Sequence, residues 1–360
     1  MSAVRTAVRG LSEYAVEQDA ARAKLNQNES ATDVPAALKA AVLDRLRRTA
    51  WNRYPPQEAG GLVRALSRHT GHPEAGIMVS NGSNEAIQVL ASAVCRRGDA
   101  VLTAEPGFAV YSRTAVLAGA RCIETPLGPD LGFDVEAVFR DAAEARLIFI
   151  ASPHNPTGAV FPREAVAPLC RAAGAKGGLV VLDEAYFEFC GRTVLDLVPK
   201  LGNLVVLRTM SKAFRLAGAR LGFLFGPDNL VRDIRKARLP FSLGIFQQAA
   251  GEVLLENNGL IRRAAAAVVR EREALFAELA VIPDLRPFPS AANFILFESR
   301  RVPGRCLFEI LRGRGVLVRH FATPRLENMI RVTVGTPAEN RRFLREIRAA
   351  CTNKTEGSSS

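Results

Sequence analysis

The sequence predicts an α/β fold, a mostly parallel sheet covered by helices, with a smaller α+β section towards its C-terminal end. Three observations carry that expectation. Six short apolar runs lie at residues 100–104, 121–125, 147–151, 179–183, 204–209 and 221–225. Most are rich in Val, Ile and Leu with little polar alternation, as strands buried on both faces are. Helical stretches at 109–119, 135–143 and 163–174 separate several of them, and that β/α alternation builds a parallel sheet with helices on both sides.

Residues 1–34 read as a polar, irregular N-terminal arm. A helix is expected over 35–48, where Pro35 suits a first helical turn. Pro55 and Pro56 stiffen the loop after Trp51, and a second helix is expected over 59–69. Ser83 or Asn84 can cap a helix with Ile87, Leu90 and Val94 on one face and Gly98 as its stop. After about residue 230 the pattern changes to a helical region rich in Ala and Arg over 247–279. Strands at 293–297, 316–319 and 329–334 follow, with helices at 306–313 and 337–350. The expected organisation is an arm (1–34), a large domain (35–246), a small C-terminal domain (247–352) and a disordered polar tail (353–360).

With 360 residues, 48% of them hydrophobic, the chain can bury the core of two domains. No apolar run approaches membrane-spanning length, and the N-terminus lacks a continuous apolar signal segment, so a cytoplasmic protein is expected. The six cysteines are scattered without a Cys-x-x-Cys pair, and the four histidines form no ligand cluster with them; no metal is expected. A net charge of +12 can indicate a nucleic-acid partner, but the arginines are spread along the whole chain, so none is expected.

The chemistry centres on residues 204–222. A buried strand there delivers Ser211 and Lys212, with Arg220 eight positions past the lysine. Lysine can shift its pKa and form an imine, whereas arginine stays charged and grips phosphate. The pair points to a phosphorylated aldehyde held at both ends, and pyridoxal 5′-phosphate fits that description. Among the seven lysines only Lys212 follows a buried strand into a crevice; the others sit in charged helices, turns, a polar segment or the tail. Asp183 ends another buried strand, where a carboxylate needs a positive partner: a protonated pyridine nitrogen, or one of the many arginines. Tyr186 and Asn155 can each donate to the 3-oxygen of such a ring. Phe108 can stack on the ring or pack in the core. The glycine-containing turn before Ser83 and Asn84 offers backbone N–H groups to a phosphate.

Several segments together resemble the fold-type I, pyridoxal-phosphate-dependent aminotransferases, most of all the histidinol-phosphate aminotransferases. They are Lys-Leu-Asn-Gln-Asn-Glu (24–29), Asn-Arg-Tyr-Pro (52–55), Asn-Gly-Ser-Asn-Glu (81–85) and Ser-Pro-His-Asn-Pro-Thr-Gly (152–158). Asp-Glu-Ala-Tyr (183–186), Leu-Arg-Thr-Met-Ser-Lys-Ala-Phe (207–214) and Gly-Ala-Arg-Leu-Gly (218–222) follow, then Ala-Asn-Phe (292–294) and Ile-Arg-Val-Thr-Val-Gly-Thr (330–336).

The resemblance implies an amino-group exchange between L-histidinol phosphate and 2-oxoglutarate in histidine biosynthesis. It makes Lys212 the residue that joins the cofactor and then moves the proton. Backbone groups near Ser83 and Asn84, the Ser211 hydroxyl and Arg220 would hold the cofactor phosphate. Tyr54 would reach that phosphate from a neighbouring subunit, which implies a homodimer with shared sites. Arg331 would grip the acidic group of the substrate, with Arg319 as a second anion contact; Asn26 is counted with the substrate residues. Other readings on the same fold are an aromatic or broad-specificity aminotransferase and a decarboxylase of a phosphorylated amino acid. A non-catalytic DNA-binding regulator would need a module that residues 1–23 are too short to supply. The chain departs from the pattern twice. Ser30-Ala-Thr32 stands where the family often has a proline and an aromatic that lines the substrate-phosphate pocket, and Arg215 stands where many members have glycine.

Overall fold

The structure, a computed structural model, describes residues 3–13 and 19–352. The tail expected at 353–360 lies outside the described residues. A seven-stranded sheet forms the centre of the larger part. Its spatial order is Ile77–Ser80, Gly222–Phe225, Leu204–Thr209, Leu179–Asp183, Leu147–Ala151, Ala100–Glu105 and Arg121–Pro126. Gly222–Phe225 runs antiparallel to both its neighbours, and the remaining pairs are parallel.

Every residue of the three central strands is buried, which explains their unbroken apolar sequences. Alternate side chains of a strand point to opposite faces. Ile148, Ile150, Val180, Leu182 and Val206 thus enter one core, and Phe149, Val181, Val205 and Leu207 enter the other. Pairing of Ala151 with Asp183, and of Asp183 with Leu207, brings the carboxyl ends of these strands level. Whatever follows each strand therefore meets at one edge, where open α/β sheets bind ligands.

A second, antiparallel sheet orders Arg319–His320, Met329–Thr333, Phe294–Ser299 and Leu285–Pro287. It has its own core, including Ile295, Phe297, Phe343 and Ile347. The N-terminal segment is tied to this part, because Ala23–Lys24 pairs in parallel with Val316–Leu317.

Several expectations are corrected. The strand Ile77–Ser80 was not foreseen. Its four residues are too few to show a period, and it joins the sheet through the single antiparallel strand. The following helix, Gly82–Val94, starts with Asn81 at the cap, so Ser83 and Asn84 stand in its first turn. It ends well before Gly98, which instead supplies a left-handed turn (φ 90°). The helical region at 247–279 is two helices, Ile245–Glu256 and Asn258–Ala280, broken at Asn257, whose Nδ2 donates to the Val253 carbonyl at 2.8 Å. The strand at 316–319 is also two, one in each smaller sheet. The domain boundary at 246/247 falls inside Ile245–Glu256, whose Ala250, Val253 and Leu254 belong to the large core. The changeover comes within Asn258–Ala280: Ile261 and Ala265 pack in the large core, Leu275 and Leu279 in the small one. Among the described residues no helix is long and apolar enough to cross a membrane.

Candidate active site

A cavity of about 790 Å³ opens at the carboxyl edge of the large sheet and reaches the small one. Lys212 lies in it with Ser83, Asn84, Phe108, Asn155 and Asp183 from the large sheet's edge. Tyr186, Ser211 and Arg220 line it too, as do Asn26, Arg319 and Arg331. Of the residues singled out from sequence, Tyr54 alone lies elsewhere: it is 80% exposed and stacks on Phe241, with ring centroids 4.5 Å apart.

Lys212 sits in a compact loop after Leu204–Thr209, closed by Met210 N–H to the Leu221 carbonyl and Leu216 N–H to the Met210 carbonyl. Its Nζ donates to the Gln27 carbonyl at 3.0 Å. Burial of the amine lowers its pKa to about 7, with help from the positive charges of Arg331, Arg220 and Lys24 and opposition from Glu29. An ammonium packed among cations gives up its proton readily.

At one end of the cavity, Arg220 takes a left-handed backbone (φ 55°) and its Nη1 donates to Ser211 Oγ at 3.3 Å. Gly82 (φ 76°) begins the helix beside it, and a Cβ there would lie 2.6 Å from Arg220 Nη2. A Cβ on Gly222 would lie 2.3 Å from the Ser83 nitrogen, so both glycines permit the helix start to approach the strand and the guanidinium. The first-turn N–H groups, a hydroxyl and a guanidinium form an anion cradle. Thr209 extends it, with Oγ1 donating to Ser211 Oγ at 3.0 Å.

Asp183 lies deeper, 4% exposed. Burial raises its pKa to about 6 against two donors, Tyr111 Oη at 2.7 Å and the Ala185 N–H at 3.0 Å. Neither donor is charged; an arginine pairs with the next residue, Arg208 Nη2 lying 2.8 Å from Glu184 Oε2. Tyr111 went unnoticed in the sequence. It is buried in the helix Val110–Ala118 and stacks on Phe149 at 4.8 Å, so its spacing resembles that of any core aromatic. Phe108 meets Tyr111 edge-on at 5.5 Å, packs against the core and also lines the cavity.

The residues 24–29 thread between the two sheets. Leu25 N–H donates to the Leu317 carbonyl and Thr333 N–H to the Leu25 carbonyl. Asn28 Nδ2 then donates to Tyr186 Oη at 2.9 Å, and Arg331 Nη2 to the Asn26 carbonyl at 2.8 Å. Arg331 Nη1 donates to Asn155 Oδ1, which leaves the Nδ2 donor of that amide for another acceptor. Arg319 and Arg331 are directly paired across antiparallel strands, so two guanidinium groups share one face. Such like charges repel, and an anion between them offsets the repulsion.

A small phosphorylated aromatic aldehyde suits this donor set. The cradle at Gly82 and Arg220 could take a phosphate, the Lys212 amine an aldehyde, and the buried Asp183 carboxylate a cationic ring nitrogen. The sequence model of the family described as aminotransferase class I and II matches residues 22–347. The chain belongs to that family. This aminotransferase is 37% identical over 351 residues to histidinol-phosphate aminotransferase of Chlorobium phaeovibrioides, covering 96% of each chain. It is 36% identical over 349 residues to the enzyme of that name from Chromobacterium violaceum, again covering 96% of each. In fold it matches histidinol-phosphate aminotransferase from Sinorhizobium meliloti, solved with pyridoxal 5′-phosphate, with a TM-score of 0.87 over 97% of this chain and 99% of that one at 23% identity. It also matches an L-threonine-O-3-phosphate decarboxylase from Porphyromonas gingivalis, with a TM-score of 0.79 over 92% of this chain and all of that one at 20% identity. The aminotransferase thus shares its fold with enzymes of two reaction types.

Proposed function

We propose that this aminotransferase exchanges an amino group between L-histidinol phosphate and 2-oxoglutarate, giving imidazole acetol phosphate and L-glutamate, as a step of histidine biosynthesis in the cytoplasm. The observation that carries the reading is the near-neutral Lys212 amine in one cavity with the paired guanidinium groups of Arg319 and Arg331. The names of the relatives support the choice of substrate.

Pyridoxal 5′-phosphate, when bound, supplies the aldehyde that accepts the amino group and a ring that draws electron density from the substrate Cα. Ser211, Arg220 and the N–H groups of Ser83 and Asn84 would hold its phosphate, and Phe108 would pack against its ring. Asp183, oriented by Tyr111, would keep the ring nitrogen protonated. Asn155 and Tyr186 would donate to its 3-oxygen. The Lys212 amine removes the proton from the substrate Cα as a base and returns it as an acid, work suited to a pKa near 7. Arg331, braced by Asn155 and the Asn26 carbonyl, takes the carboxylate of glutamate or the phosphate of histidinol phosphate in turn, with Arg319 beside it.

The same reading makes the enzyme a homodimer. Trp51, Tyr54, Leu239 and Phe246 are large apolar side chains left exposed, and a second subunit would cover them and bring Tyr54 to its cofactor phosphate. The large and small cores act as two domains joined through the helix Asn258–Ala280. Steady-state turnover of histidinol phosphate, phenylalanine and threonine phosphate with 2-oxoglutarate tests the proposal. Histidinol phosphate should give the highest kcat/KM, and a better donor among the others overturns the assignment.

A further inference from the structure

One departure from the family pattern, Arg215, reaches the residue that follows the other. Arg215 stands three residues past Lys212 and adopts a left-handed backbone (φ 63°), a conformation that glycine takes without strain. Its Nη1 donates to the Asp33 carbonyl at 2.8 Å, immediately after the substituted Ser30-Ala-Thr32 segment. Burial lowers the pKa of this guanidinium, and its Nε is buried without a hydrogen-bond partner among the described residues. A strained, partly desolvated arginine is costly unless its contact does something in return.

What the contact reaches is the outer end of the segment covering the site. Within that segment the Asn26 carbonyl accepts from Arg331, the Gln27 carbonyl from Lys212, and the Asn28 carbonyl from Asn293. Asn28 Nδ2 also holds Tyr186. These anchors fix the inner end. Asp33 is the outer one, where Arg215 grips the backbone while the Asp33 side chain accepts from Val34 N–H and pairs with Lys39.

We propose that Arg215 is a positioning residue: its grip on the Asp33 carbonyl tethers residues 26–33 over Lys212. The inference rests on the functional reading only for its kinetic arm. The test uses the full-length, cofactor-loaded enzyme and its Arg215→Gly and Arg215→Lys variants. Because glycine suits the left-handed backbone, Arg215→Gly should fold with a melting temperature at or above that of the parent. Hydrogen exchange of peptides spanning residues 26–33, measured without substrate, should lose about 10-fold in protection, as expected for loss of one charge-assisted hydrogen bond. KM for both substrates should rise about 5- to 10-fold with kcat little changed, and Arg215→Lys should restore part of the exchange protection. Unchanged exchange at 26–33 with a raised melting temperature would make Arg215 only a strained substitution and overturn the proposal. Exchange needs no turnover, so lost protection in an enzyme that ignores histidinol phosphate would sustain the tether while refuting the substrate assignment.

Discussion

Asp183 carries the most direct link between the fold and the cofactor reading, and Asp183→Asn in cofactor-free protein isolates it. The side chain is 4% exposed, and burial raises its pKa from 3.8 to about 6 despite the Tyr111 and Ala185 donors. A pKa raised by folding stabilises the protein fully below the unfolded value, and the contribution is lost as pH rises through the folded one. Between pH 4 and pH 7 the wild type should therefore lose about 2.4 kcal/mol relative to Asp183→Asn. The asparagine is isosteric: its Oδ1 can accept from the Ala185 N–H while its Nδ2 donates to Tyr111 Oη, so the core is preserved. For a chain of this length that difference corresponds to a relative shift in melting temperature of about 3 °C. Thermal unfolding of both proteins at several pH values from 4 to 7 reads it directly. Adding pyridoxal 5′-phosphate should flatten the wild-type curve, because a ring cation lets the carboxylate ionise without penalty. Parallel curves for the two cofactor-free proteins would refute the claim that Asp183 is a buried charge awaiting a partner.

Two further variants probe the ends of the cavity. Gly82→Ala should weaken pyridoxal phosphate binding about 10-fold, measured by absorbance titration, since its Cβ would lie 2.6 Å from Arg220 Nη2 and a left-handed alanine costs about 1–2 kcal/mol. Arg331→Lys should raise KM for both glutamate and histidinol phosphate about 10- to 100-fold at little cost in stability. A single ammonium cannot hold Asn155, the Asn26 carbonyl and a bidentate anion together.

Much of the site was legible because its residues follow the central strands. Runs such as Leu179–Asp183 and Leu204–Thr209 are apolar throughout, and the polar residues after them must meet at one sheet edge. Lys212, Asp183, Asn155 and Arg220 could be picked out on that ground. Tyr111 was not, because an aromatic on the buried face of an amphipathic helix looks the same whether it fills a core or orients a carboxylate. Asn28 and Thr209 act through side-chain contacts to Tyr186 and Ser211 that no local pattern announces. The pairing of Arg319 with Arg331 depends on strand register in the small sheet, and the meeting of Arg215 with Asp33 on tertiary packing. Helix limits failed where the break is short: Asn257 interrupts the long helical region, and the Asn-Asn-Gly run at 257–259 is the only local mark of it.

The central claim is that Lys212 holds the cofactor in this cavity. Borohydride reduction of the pyridoxal-phosphate-loaded protein, followed by tryptic peptide mapping, tests it directly. The label should sit on Lys212, in a peptide of residues 209–215 left uncut at that lysine. When the cofactor is added to the apo-protein, its initial rate of attachment should climb as pH rises through about 7, where the amine loses its proton. Label on another lysine, or none on Lys212, would contradict the account.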